Sequence, residues 1–116
     1  MTEYRLEVSV YKYDAQKRES IIKAVLPLWN FEKAKTFPAS SPALCPETSE
    51  LQMEFKGDDE CCEDDLAPKF HQICAAIWEA NGADCDVSGQ SFDIDRLLET
   101  SEVYISDWEK YIENKK

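Results

Sequence analysis

Leu66, Phe70, Ile73, Cys74, Ile77 and Trp78 recur three and four residues apart and so share one side of a helix. An apolar stripe of that length must be buried against a flat apolar surface, which makes this segment the strongest constraint on the fold. The spacing predicts a helix over 65–80. Asp64 or Asp65 would cap it, Pro68 would lie in its first turn, and Asn81-Gly82 would end it.

The surface it needs is written at the start of the chain. Tyr4, Leu6, Val8 and Val10 alternate with Arg5, Glu7 and Ser9, which is a strand with one buried face. Asp14 then offers a cap, and Ile21, Ile22, Val25 and Leu26 predict a helix over 15–26 that stops before Pro27. Residues 28–37 carry Trp29, Phe31 and Phe37 and fit a second strand or a short continuation of the helix. Pro38, Ser40, Ser41, Pro42 and Pro46 mark a loop. Leu51, Met53 and Phe55 alternate up to Gly57 as a further strand, and 83–88 fits another. Residues 92–99 look helical, 103–105 can be either type, and Trp108, Tyr111 and Ile112 suit a closing helix.

The order strand, helix, strand, strand, helix, strand predicts a small α+β domain spanning residues 1–116. It would be a two-layer sandwich of the ferredoxin-like, split βαβ type, with a helical appendage at the C-terminus. At 116 residues, with 43% apolar and 32% charged side chains, such a chain buries enough surface to fold without staples. Its longest apolar stretches fall far short of the roughly 20 residues that cross a bilayer. Met1-Thr2-Glu3-Tyr4-Arg5 is not a secretory start, and five cysteines (Cys45, Cys61, Cys62, Cys74, Cys85) read as free thiols in a reducing, cytoplasmic setting.

Formal net charge is -11, and it is unevenly placed. Residues 1–45 hold seven basic and five acidic side chains, whereas residues 46–116 hold six basic and nineteen acidic. An anionic field of that kind repels nucleic acid and anionic lipid and attracts basic protein surfaces. No glycine-rich phosphate loop is present, since only Gly57, Gly82 and Gly89 occur. Neither the 58–65 acidic run nor Asp93-x-Asp95 has the alternate-position spacing of a calcium loop. A Cys-His nucleophile pair would sit among carboxylates, which raise a thiol pKa and so disfavour the thiolate.

These features predict a non-enzymatic acidic protein that blocks a basic, nucleic-acid-binding site on a partner protein. A nuclease immunity protein and a DNA-mimic inhibitor of a defence system share that physics, the partner being a nuclease or another nucleic-acid-binding protein. Direct contact with nucleic acid or membrane is not expected, and neither is a cofactor or a metal. The expected partner-binding residues are Asp58, Asp59, Glu60, Glu63, Asp64, Asp65, Asp84, Asp86, Asp93, Asp95 and Trp108. The competing explanation of the same carboxylates is a surface that keeps a small domain in solution. The alternative function is a zinc-binding or thiol-based regulatory protein built on His71 and Cys74, three residues apart, with Cys61, Cys62 and Cys85.

Overall fold

Residues 2–37 and 52–115 are described by a computed structural model. The expected loop 38–46, Leu51 and Cys45 lie outside those residues. β1 (Thr2–Tyr11) is the central strand, and its alternation is realised fully: Leu6, Val8 and Val10 are completely buried and Tyr4 nearly so. It pairs antiparallel with β3 (Gln52–Cys61) on one side and β4 (Asp86–Asp93) on the other. β2 (Lys35–Phe37) adds to β3, and β5 (Glu99–Ile105) adds to β4, giving the order β2-β3-β1-β4-β5. The first four strands and two helices are the expected split βαβ arrangement, so the α+β reading holds. The C-terminal appendage is a strand as well as a helix: β5, then α3 (Trp108–Lys115).

Two helices cover one face of the sheet. Asp14 accepts the Gln16 amide at 2.9 Å and starts a 3-10 turn that leads into α1 (Arg18–Val25). A second 3-10 turn at Leu26–Leu28 absorbs Pro27. α2 (Glu63–Asn81) buries all six residues of its predicted stripe. It starts two residues earlier than expected, with Cys62 as an N-cap that makes no side-chain bond, and Pro68 lies inside it. It ends at Gly82, whose φ of 77° is the left-handed conformation that closes helices. Buried Asn81 ties that end to the β1–α1 connection, accepting the Asp14 amide at 2.8 Å and donating to the Ala83 carbonyl at 2.9 Å.

Three expectations are corrected. β3 does not stop at Gly57 but runs on through Asp58, Asp59 and Glu60, because the ladder with Thr2–Arg5 of β1 continues to Cys61. The segment 92–99 is not a helix: β4 extends to Asp93, a 3-10 turn follows at Ile94–Arg96, and β5 begins at Glu99. Residues 28–37 are not one element but part of each expected form: a 3-10 turn continues α1 as far as Leu28, Phe31 bridges Gly57, and β2 takes up Lys35–Phe37. Among the described residues no helix is long and apolar enough to cross a membrane.

A candidate anionic cleft at one end of the sheet

Strand register builds the site. Tyr4 of β1 lies opposite Asp93 of β4, and Asp93 lies opposite Glu99 of β5. Neighbouring strands are about 4.8 Å apart, so register alone sets two carboxylates side by side next to a tyrosine. The first residue of α2, Glu63, reaches the same place from the helix layer. Thr2, Tyr4, Glu63, Asp93, Arg96, Glu99, Thr100 and Ser101 line a polar cleft of about 360 Å³, which is within the range of small-molecule sites.

This end of the sheet breaks several local rules at once. Asp93 and Glu99 are a like-charged cross-strand pair, an arrangement that destabilises a sheet by a few tenths of a kcal/mol or more. The β4–β5 ladder carries a bulge between Ser91 and Phe92, immediately before Asp93. Leu97 and Leu98 both adopt positive φ, 58° and 65°, a conformation that costs a branched-chain residue roughly 1–2 kcal/mol. Their amides donate to the carbonyls of Ile94 (3.2 Å) and Asp93 (3.0 Å), which locks the turn that delivers β5. Finally, Asp93 Oδ1 is buried with no hydrogen-bond partner, while Oδ2 is 3.7 Å from the largely exposed Arg96. Strain and unmet polarity collect where structure has been kept for a task other than stability.

Electrostatically the cleft favours cations. Burial, and then the negative charges of Glu63 and Asp93, push the Tyr4 hydroxyl above its ordinary range, so it stays protonated as a hydrogen-bond donor. Glu63, Asp93 and Glu99 outweigh Arg96, the one basic side chain among the described lining residues. The positive end of α2 is already met by Glu63, Asp64 and Asp65 in its first turn, which leaves Arg96 to balance the cleft.

Of the acidic residues singled out from sequence, the structure brings only Glu63 and Asp93 into this cleft. Asp58 is on the opposite face of the sheet, in a two-bond pair with Arg5 (2.8 and 3.2 Å). Asp59 and Glu60 are exposed at the end of β3, and Asp64 and Asp65 are exposed in the first turn of α2. Asp84 follows the far end of α2, and Asp86 opens β4 3.6 Å from Lys12. Asp95 is exposed in the turn after β4. Trp108 packs edge-on against Trp78, 5.2 Å between ring centroids, in a separate aromatic cluster. The carboxylates thus occupy both ends of a 19-residue helix, about 28 Å long, and both faces of the sheet.

The zinc reading gains nothing from the fold, because Cys74 is buried at 1% exposure while His71 faces solvent. Among the described residues no three His, Cys, Asp or Glu side chains are placed to hold a metal. Burial pushes the Cys74 and Cys85 thiols up to about 12, and burial followed by the Asp65 charge raises Cys61, which is the reverse of an activated nucleophile. Tyr4 was missed from sequence, and Glu99 counted only toward the general acidic surface, not among the expected partner-binding residues. Tyr4 reads as a core residue of an alternating strand, and Glu99 fell in a segment expected to be helical.

No family model matches the chain, and no curated protein sequence matches it. Among solved structures it is similar to a phage SAM lyase in complex with S-methyl-5'-thioadenosine, with a TM-score of 0.56, 10% identity and 92% of each chain covered. It is similar also to a phage SAM lyase in the apo state, with a TM-score of 0.52, 12% identity and 90% of each chain covered. At that identity the likeness establishes the fold. It overturns the expectation of a non-enzymatic immunity protein or DNA mimic, which rested on the acidic excess after residue 45 and on seeing no active-site pattern in sequence, since this fold is one that an enzyme carries over nearly its whole length.

Proposed function

We propose that the chain is a lyase acting on a sulfonium-bearing nucleoside of the SAM type, which it binds in the cleft between Tyr4, Glu63, Asp93 and Glu99. The observation that carries this reading is the buried, unpartnered Asp93 Oδ1 at the wall of an anionic cleft. A buried acceptor left unmet costs roughly 1–3 kcal/mol, more for a charged group, and a cationic ligand repays it. The shared fold supports the reading by placing an enzyme of this chemistry on the same architecture.

The chemistry suits residues of this kind. SAM carries a fixed positive charge on sulfur and, in its amino-acid portion, an ammonium and a carboxylate. Asp93, Glu63 and Glu99 attract the cationic groups, while Arg96 pairs with the carboxylate. On C–S cleavage the bonding pair returns to sulfur, the positive charge disappears and the thioether leaves neutral. A lyase adds no water: as the C–S bond breaks, the substrate's own carboxylate oxygen forms the new bond to that carbon and closes a lactone, with no proton transferred. Because that charge fades as the bond breaks, the carboxylates hold the substrate more tightly than the transition state, so they lower KM and do not raise kcat.

The test is incubation of the protein with SAM and chromatography for S-methyl-5'-thioadenosine. Asp93→Asn is expected to raise KM about 10- to 100-fold, the worth of one charge-assisted hydrogen bond. Asp58→Asn, on the other face, is expected to leave turnover unchanged. No thioether product from the wild-type chain, or equal loss in both variants, overturns the assignment.

A further inference from the structure

A second cleft lies between α2 and α3. His71, Trp78, Asp107, Lys110, Tyr111 and Asn114 enclose about 240 Å³, room for about eight waters at their liquid volume of ~30 Å³ each. Its floor is aromatic. Trp78, Trp108 and Tyr111 meet pairwise with centroids 5.1–5.4 Å apart and planes tilted by 38–81°. Trp108 and Tyr111 remain half-exposed beside Trp78. Water against aromatic faces makes few hydrogen bonds, and a flat apolar ligand gains by displacing it.

The lining decides the ligand class. The three rings touch one another, so they leave no gap that would cage an onium cation between them; Trp108 lies outside the lining and Trp78 is 3% exposed, so a further ring is offered the Tyr111 face with the edge of Trp78 beside it. Around that wall stand polar groups of mixed kind: the Asn114 amide, which both donates and accepts, the Asp107 carboxylate, the Lys110 ammonium and the His71 imidazole. An aromatic face with donors and acceptors at its edge matches a flat nitrogen heterocycle. The site is separate from the anionic cleft, for Glu63 and Trp78 are fifteen residues apart on α2, about 22 Å.

We propose that the α2–α3 cleft is a second ligand site that takes a flat nitrogen heterocycle of the purine class, stacked on Tyr111 beside Trp78. The proposal is independent of the lyase reading. The three indole N–H groups make it testable: Trp29 donates to the Gly57 carbonyl at 2.9 Å on the other side of the molecule, and Trp78 donates to the Cys85 carbonyl at 3.0 Å beside the cleft. In ¹H–¹⁵N spectra, adenine is expected to shift the Trp78 and Trp108 indole signals saturably and leave Trp29 in place. Tyr111→Leu, which keeps apolar contact and removes the stacking face, is expected to weaken adenine about tenfold. If that variant also moves the Trp29 signal, Asn114→Ala takes its place with a several-fold weakening. Asp93→Asn is expected to bind adenine as the wild type does, so failure here and failure of SAM turnover are separate results. Absence of a saturable shift, equal movement of Trp29, or equal binding of non-planar cyclohexanol overturns the proposal.

Discussion

Replacing Gly57 with alanine should cost this protein most of its stability. A Cβ there would overlap the Asn30 carbonyl oxygen and approach Phe31 Cα to 2.6 Å and the Asn30 carbonyl carbon to 2.7 Å, all backbone atoms that cannot rotate away. Relief requires the segment between α1 and β2 to lift off β3. That segment is held by the Trp29 indole donating to the Gly57 carbonyl (2.9 Å), the Asn30 amide donating to the Asp58 carbonyl (2.8 Å) and the Glu32 amide donating to the Lys56 carbonyl (3.1 Å). Overpacking costs typically 1–3 kcal/mol, and two or three such bonds contribute about 1 kcal/mol each, so the expected loss is about 3–6 kcal/mol. Set against a total of about 5–15 kcal/mol, this leaves a marginal fold. Urea unfolding followed by tryptophan fluorescence measures it, with a midpoint lowered by about 1.5–3 M at a slope near 2 kcal/mol/M. Gly89→Ala is the control, because its Cβ would meet the Phe70 ring at 2.6 and 2.8 Å, a side chain with some freedom to shift, at about 1–3 kcal/mol. A Gly57→Ala variant within about 1 kcal/mol of wild type, or no worse than Gly89→Ala, would refute the close-approach argument.

Two further outcomes follow from buried polar groups. Cys74 and Cys85 titrate at about 12 when folded and near 8.5 when unfolded, so above that lower value the unfolded chain releases protons that the folded one keeps. Their stabilisation is complete below about pH 8.5 and is lost as pH rises towards 12, each thiol steepening the decline by up to ~1.4 kcal/mol per pH unit. Unfolding free energies from pH 7 to 10 should therefore fall, and Cys74→Ala should make the fall shallower; a flat profile would contradict the burial argument. The Ser91 and Tyr104 hydroxyls form a buried pair at 3.0 Å. Tyr104→Phe or Ser91→Ala alone should cost about 1–2 kcal/mol and the double variant little more than either, a coupling that a double-mutant cycle in urea reads directly.

How much of this was readable from sequence depended on whether the signal was local. β1 and α2 were, because a strict period of two and an unbroken helical stripe each require one burial geometry whatever surrounds them. β5 was not. Leu97 and Leu98 look like the apolar pair of a helix, yet their backbones are left-handed, Leu97 is 94% exposed and Ile105 80%. Such residues carry no core signal, and the edge strand exists because β4 offers it a ladder. The end of β3 failed for the same reason: Asp58, Asp59 and Glu60 have poor strand propensity and are held extended by pairing with Arg5, Tyr4 and Glu3.

Those two non-local pairings also explain why the charge imbalance, conspicuous in the sequence, misdirected the functional reading. Counting carboxylates along a chain assumes that neighbours in sequence share a surface, but in an antiparallel sheet successive side chains face opposite sides, and Asp58 and Asp59 part company at once. The carboxylates of the anionic cleft came together from Glu63, Asp93 and Glu99, across a helix start and two strands, by register. A one-residue slip of β5 would turn Glu99 to the other face and dissolve the cleft. The bulge at Ser91/Phe92 and the left-handed Leu97–Leu98 turn fix that register, so the strain at this end of the sheet and the anionic site are one feature of the fold.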